Sequence, residues 1–165
     1  MAPASEPFDM QHDQTIPGMR RATPADAALV RGFTRAAYAK WVEVIGREPR
    51  PMTADYDVAL REHRIDLVEP DGQLQALIET HAAPDHLLIV NVAVAPEHQG
   101  KGLGRALLAH AESLARAAGL AEMRLYTNSR FASNIALYAR QGYEQYAEEV
   151  LPPLGIVIHM KKTLR

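Results

Sequence analysis

The segment Gln99-Gly100-Lys101-Gly102-Leu103-Gly104-Arg105 carries the densest chemical signal in the chain. Its alternating glycines let backbone approach a ligand without Cβ collisions. An apolar run precedes it and an amphipathic pattern follows, so it joins a strand to a helix N-terminus. The unpaired N–H groups and positive dipole end at such a junction favour an anion, most naturally a pyrophosphate. Two common phosphate loops are excluded by spacing. The dinucleotide pattern G-x-G-x-x-G, started at Gly100, needs glycine where Arg105 stands. The nucleoside triphosphate pattern G-x-x-x-x-G-K-[ST] is absent. A plain strand-to-helix turn is the alternative, and it requires fewer glycines. Lys101 and Arg105 either reach phosphate as point charges or stand solvated.

Other chemistry is bounded by composition. The chain has no cysteine, which removes disulfides, thiolate metal sites and cysteine nucleophiles. Its seven histidines show no HExxH or related zinc spacing, so no metal is expected. A formal net charge of −2 lacks the basic excess of a dedicated nucleic-acid binder. Asn91 is the one strongly polar residue in the run LLIVNVAV. Buried without a partner it costs about 1–3 kcal/mol, so it must be bonded to the sheet or to a ligand, with the sheet the readier choice.

The elements that position these residues follow from pattern. Residues 1–17 mix Pro, Asp, Gln and Ser without period and read as a flexible leader, leaving 18–165 as one domain. No signal peptide and no membrane-length apolar run is present, so a soluble cytoplasmic protein is expected, with no membrane partner. Met19–Arg21 is a strand, and Thr23-Pro24 opens a helix with Leu29, Phe33 and Ala37 on one face. Trp41–Met52, with Gly46, Pro49 and Pro51, reads as loop or broken helix, followed by a short helix over 53–63. Strands at 65–69, 73–80 and 87–94 are separated by turns at Pro70-Asp71-Gly72 and Ala83-Pro84-Asp85. A helix over 102–118, a strand over 123–127, a helix over 129–141 and a final strand pair complete the chain. The order β-α-α-β-β-β-α-β-α-β-β predicts a mixed α/β (α+β) fold, with helices on both faces of a sheet.

The stretch VAVAPEHQGKGLGRALL resembles the acetyl-CoA pyrophosphate loop of the GNAT (Gcn5-related N-acetyltransferase) superfamily, with Gln99, Gly102 and Gly104 on that family's pattern. Asn134-Ile-Ala-Leu-Tyr138-Ala-Arg-Gln-Gly142-Tyr143 is similar to its later motif, and the two occur in the family's order. Tyr38, Trp41, Gly46 through Pro49, and Pro51 through Tyr56 look like one uncharacterised branch. The resemblance covers roughly residues 19–162.

It implies a central, mostly antiparallel sheet of about seven strands flanked by about four helices, with the two central strands splayed. It implies N-acyl transfer, most simply of acetyl from acetyl-CoA (coenzyme A) to a primary amine on a small molecule or peptide, by direct attack in a ternary complex. An acyl-CoA-binding or regulatory module on the same fold is the alternative. It also allows a homodimer. Val92, Ala93 and Val94 would meet the pantetheine arm, with the Val92 N–H facing the thioester oxygen. Backbone from Gln99 through Gly100, Lys101, Gly102, Leu103 and Gly104 to Arg105 would hold the pyrophosphate. Asn134 would bond CoA or cap its helix. Tyr138 matches the family's tyrosine at the departing thiolate, although helical spacing also suits it to a core role. A tyrosine at pKa ~10 gives its proton to a thiol near 8.5 uphill by about 2 kcal/mol, so hydrogen bonding suits it better than full transfer. A lysine-like amine at pH 7 costs about 4.6 kcal/mol to deprotonate, and an α-amine about 1.4. Relatives often carry Glu where Val90 stands here, which leaves Glu79, His81, His98 or water as the base. Trp41–Tyr56, with Trp41, Arg47, Glu48 and Arg50, is either a substrate wall or a packed surface loop; Tyr38, Trp41, Arg47 and Asn91 are its substrate candidates.

Overall fold

The computed structural model describes residues 16–153 and 155–165. The leader read over 1–17 therefore lies mostly outside the described residues. Ile16 is buried against the core, and its carbonyl accepts the Met19 N–H at 3.1 Å.

The chain runs β1 (Met19–Arg21), α1 (Ala27–Ile45), α2 (Arg50–Thr53), α3 (Tyr56–Glu62), β2 (Arg64–Val68), β3 (Ala76–Ala82), β4 (Leu87–Val94), α4 (Leu103–Ala117), β5 (Glu122–Asn128), α5 (Ala132–Arg140), β6 (Glu144–Leu151) and β7 (Gly155–Thr163). The strands form one seven-stranded sheet in the order β1-β2-β3-β4-β5-β7-β6. Every neighbour pair is antiparallel except β4 and β5, which α4 connects in parallel. The mixed α/β architecture expected from the element order is the one observed. Among the described residues the α-helices number five, because the proline-rich segment adds the four-residue α2.

Two cores cover the two faces. Leu107, Leu108 and Ala111 of α4 pack on Ile78, Ile89 and Met123. Val30 and Tyr38 of α1 and Tyr56 of α3 pack on Ile65, Leu67 and Leu77. Full burial of each large side chain removes apolar area worth about 1.5–3 kcal/mol.

The inward stripe of α1 is Val30, Thr34, Ala37 and Tyr38, and the expected stripe through Leu29 is displaced by one position. Leu29 is 43% exposed. Strict steps of four drift around a helix that turns every 3.6 residues, so the mixed spacing of four and three defines the buried face. The helix also continues through Trp41 to Ile45 and resumes as α2 after a break, the broken-helix alternative for this segment. The break begins at Gly46, in the left-handed region at φ 74°, whose N–H donates to Val42 O at 2.8 Å.

An irregularity in β4 shapes everything that follows. Glu79 pairs with Asn91 and Thr80 with Ile89, so Val90 is an extra residue on β4. Such a bulge reverses which side chain faces which layer. Before it, Ile89 faces the α4 core; after it, Ala93 faces the α1 core. Pairing between β4 and β5 ends at Ile89 with Leu125. The two central strands part from Val90 onward, as the resemblance implied.

Candidate active site

The opening between β4 and β5 leads into two chambers. The larger is a groove of about 840 Å³ along the β4 end, the glycine segment and α5. The smaller is a mainly apolar cavity of about 80 Å³ between β4, β5 and the Pro49–Pro51 segment. Tyr38, Val92, Asn134 and Tyr138 line both, so the chambers meet there.

The groove is built from backbone. Gly100 and Gly102 have φ of 76° and 88°, conformations that side-chain-bearing residues rarely adopt. Gly102 is the N-cap of α4, so the first N–H groups of that helix and its positive dipole end open here. Gly104 serves packing: a Cβ there would meet Leu137 Cδ2 at 3.1 Å. Gln99 donates from Nε2 to Val94 O at 2.9 Å and accepts from Lys40 Nζ at 2.7 Å. Lys40 and Arg140 join Arg105 along the groove, whereas Lys101 does not line it.

The backbone of β4 faces the groove in alternation. Ala95 N–H donates to Gln75 O on the β3 side at 2.9 Å. Val92 O and Val94 O accept side-chain donors from Tyr38 and Gln99 on the opposite side. In a strand the N–H and C=O of one residue point to the same side. The Val92 N–H therefore faces the opening, where β5 has parted. Ala93 and Val94 also line the groove.

Tyr138 is buried at the junction, edge-on to Tyr143 with ring centroids 6.2 Å apart. Burial pushes its hydroxyl up to about 12. It stays protonated at neutral pH, with its proton available for donation. Tyr38 is equally enclosed, and burial raises its pKa well above 10. Its hydroxyl donates to Asn91 Oδ1 at 2.6 Å and lies 3.0 Å from Val92 O. This answers where Asn91 finds a partner: in α1, with the sheet playing no part. Its Nδ2 is buried with no partner.

Several residues read as candidates stand elsewhere. Glu79 is buried, so it does not sit at a solvated hairpin end; it lies 2.6 Å from His63 Nδ1 and lines neither chamber. Trp41 stacks on Phe131 at 4.4 Å and walls the groove. Arg47 and Glu48 line neither chamber; Glu48 accepts from Arg35 Nη2 at 2.6 Å, and Arg47 Nε is buried without a partner. From that segment Pro49, Arg50 and Pro51 reach the cavity. Tyr56 fixes it by donating to Pro51 O at 2.5 Å. Tyr126, Thr127 and Asn128 form the β5 wall and were not singled out from sequence. Lys40 was missed too. No motif marks any of the four, because helix and strand periodicity records only which face is apolar. Of the imidazoles considered as base, His98 lines the groove; His81 lines neither chamber and packs against His63. Among the described residues no carboxylate lines either chamber.

Comparison with known proteins places the family and the fold. The family model for the acetyltransferase (GNAT) family matches residues 30–143. The chain is similar to the [ribosomal protein bS18]-alanine N-acetyltransferase of Escherichia coli K12, 35% identical over 75 residues, covering 46% of this chain and 51% of that one. It is also similar to the streptothricin acetyltransferase of Streptomyces lavendulae, 37% identical over 78 residues, covering 46% and 41%. The match thus spans about half the length of these curated relatives. The PaiA N-acetyltransferase of Thermoplasma acidophilum, solved with coenzyme A, shares the fold at TM-score 0.72 and 18% identity, over 88% of this chain and 97% of that one.

Proposed function

Because the chain belongs to the acetyltransferase (GNAT) family, we propose that it transfers acetyl from acetyl-CoA to a primary amine, by direct attack with both substrates bound. The observation that carries this reading is the meeting of the two chambers at Val92, Asn134 and Tyr138. The groove suits the donor. Its glycine turn and helix N-terminus present backbone N–H groups to a pyrophosphate, with Lys40, Arg105 and Arg140 alongside. The cavity, too small and apolar for a nucleotide, suits the acceptor.

Acetyl-CoA supplies an activated thioester carbonyl. The amine nitrogen bonds to the acetyl carbon, the carbon–sulfur bond breaks with its electron pair going to sulfur, and the surplus proton of the nitrogen ends on the thiolate or in solvent. The Val92 N–H offers a fixed dipole to the carbonyl oxygen as charge develops there, an effect worth about 3 kcal/mol of barrier. Tyr38 holds that stretch of β4 in place through the Val92 carbonyl. Tyr138 stabilises the departing sulfur as a donor. With its hydroxyl at about 12 and a thiol near 8.5, full proton transfer is uphill by about 5 kcal/mol. With no carboxylate among the described residues lining either chamber, water carries the amine proton to solvent, and acceptors of lower pKa are favoured.

The test is coenzyme A release from acetyl-CoA against a panel of amines, with Tyr138→Phe in parallel. Release with an amine, lowered in the variant, is expected. A rise in melting temperature with acetyl-CoA but no release for any amine would favour a binding module instead.

A further inference from the structure

Two donor groups, Asn91 and Arg50, stand at the small, mainly apolar cavity beside Tyr126, Thr127, Asn128 and Asn134. Asn91 is only 4% exposed, and its Nδ2 is a buried donor with no partner. Its Oδ1 is already taken by Tyr38. A donor left so is destabilising, and an acceptor atom on a bound molecule relieves it once the amide turns toward the cavity that Asn91 lines. Arg50 lines the same cavity from the start of α2. Arg50 is exposed, and among the described residues no carboxylate pairs with it. The Arg50 charge is felt at the Tyr126 hydroxyl, where it opposes the rise caused by burial, while the buried Glu79 adds to that rise. The remaining walls include Ile45, Pro49, Pro51, Leu125 and Phe131.

Resting on the acetyltransferase reading, we infer that the acceptor is a compact amine that also bears a carboxylate and a small apolar body, as an α-amino acid does. Asn91 Nδ2 and the Arg50 guanidinium take the carboxylate, and the aliphatic walls take the body. Asn91 directly precedes Val92, and one Tyr38 hydroxyl reaches both residues. A carboxylate anchored at Asn91 therefore leaves an amine one carbon away close to the Val92 N–H. The same arrangement acts on protonation. Among the described residues no carboxylate lines the cavity, so a cationic amine beside Arg50 in apolar surroundings is disfavoured against its neutral form, which is the nucleophile. Polycationic acceptors meet no lining carboxylate among those residues, only the more distant Glu79.

The experiment compares acceptors that share a skeleton: L-valine, L-valinamide and isobutylamine, with spermidine as the polycation. Coenzyme A release is measured for each with the wild-type protein, Arg50→Gln, Arg50→Lys and Asn91→Leu. The expected kcat/KM for L-valine exceeds that for L-valinamide and isobutylamine by about tenfold or more, as a charge-assisted contact provides. Arg50→Gln collapses that ratio through KM, Arg50→Lys restores part of it, and Asn91→Leu lowers it. Equal or better turnover of isobutylamine or spermidine, with a ratio unmoved by Arg50→Gln, overturns the carboxylate assignment and leaves the acetyltransferase reading standing. No release from any of the four acceptors, with no stabilisation by acetyl-CoA, overturns the acetyltransferase reading itself.

Discussion

The groove and the cavity share four residues but are built in opposite ways. One side of the groove is consecutive backbone, a strand end, a glycine turn and a helix start within Val92–Arg105, and side chains of α1 and α5 close it. The cavity is made of side chains from α1, the Pro49–Pro51 segment, β4, β5 and α5. Its polar groups come from several elements: Tyr38 of α1, Arg50 of α2, Asn91 of β4, Tyr126, Thr127 and Asn128 of β5, and Asn134 of α5. A ligand common to many enzymes can be held by a continuous motif. A ligand peculiar to one enzyme is held by scattered side chains that change independently. The bulge at Val90 joins the two, since it turns Asn91 toward the cavity and leaves the Val92 and Val94 backbone facing the groove.

That contrast is testable by substitution, and the largest effect belongs to the junction. Tyr138→Phe is expected to lower kcat about 100-fold with little change in KM for acetyl-CoA, as loss of a donor to developing charge does. Equal kcat would move the chemistry away from the junction. Next is the groove. Gly102→Val places a branched residue at φ 88°, and acetyl-CoA affinity by calorimetry is expected to fall about 30-fold from strain and lost backbone approach. Tyr38→Phe touches both chambers. It removes the donor to Asn91 and Val92, with an expected loss of about 1–2 kcal/mol of stability in denaturant and about tenfold in kcat/KM.

The smallest effect tests a region outside both chambers. Asp66 is buried beneath α4, where burial alone would raise its pKa. Hydrogen bonds from His110 at 3.0 Å and Arg64 at 2.8 Å outweigh burial and hold it below the ordinary carboxylate value. Its folded pKa lies below its unfolded one, so its contribution is present above about pH 4 and is lost as pH falls through the folded value. Melting temperature is expected to drop more steeply below pH 4 in the wild type than in Asp66→Asn. Acceptor preference near neutral pH should be the same in both.

The same contrast explains what the residues disclosed before the fold was known. Strand β4 was legible to its end residues, because LLIVNVAV is apolar on both faces and Pro96 follows it. The start of α4 was legible because glycines mark backbone that only they tolerate. The splay and Tyr138 came from resemblance to a family. The bulge at Val90 was invisible: valine favours a regular strand, and the extra residue is imposed by pairing with β3. The buried stripe of α1 was misread by one position because Leu29 and Val30 are equally apolar and only packing chooses between them. Arg50 stood in the segment marked as a wall, beside Arg47 and Glu48, and nothing local distinguishes the arginine that faces the cavity from the one that does not. Lys40 meets Gln99 across 59 positions, a separation that no local pattern encodes.

The most direct test is a crystal structure of the protein with coenzyme A. The account expects the pyrophosphate on the backbone N–H groups of 99–105 and the sulfur within hydrogen-bonding distance of the Tyr138 hydroxyl, at the mouth of the small cavity. A pyrophosphate bound elsewhere, or a sulfur directed away from Tyr138 and Val92, would contradict it.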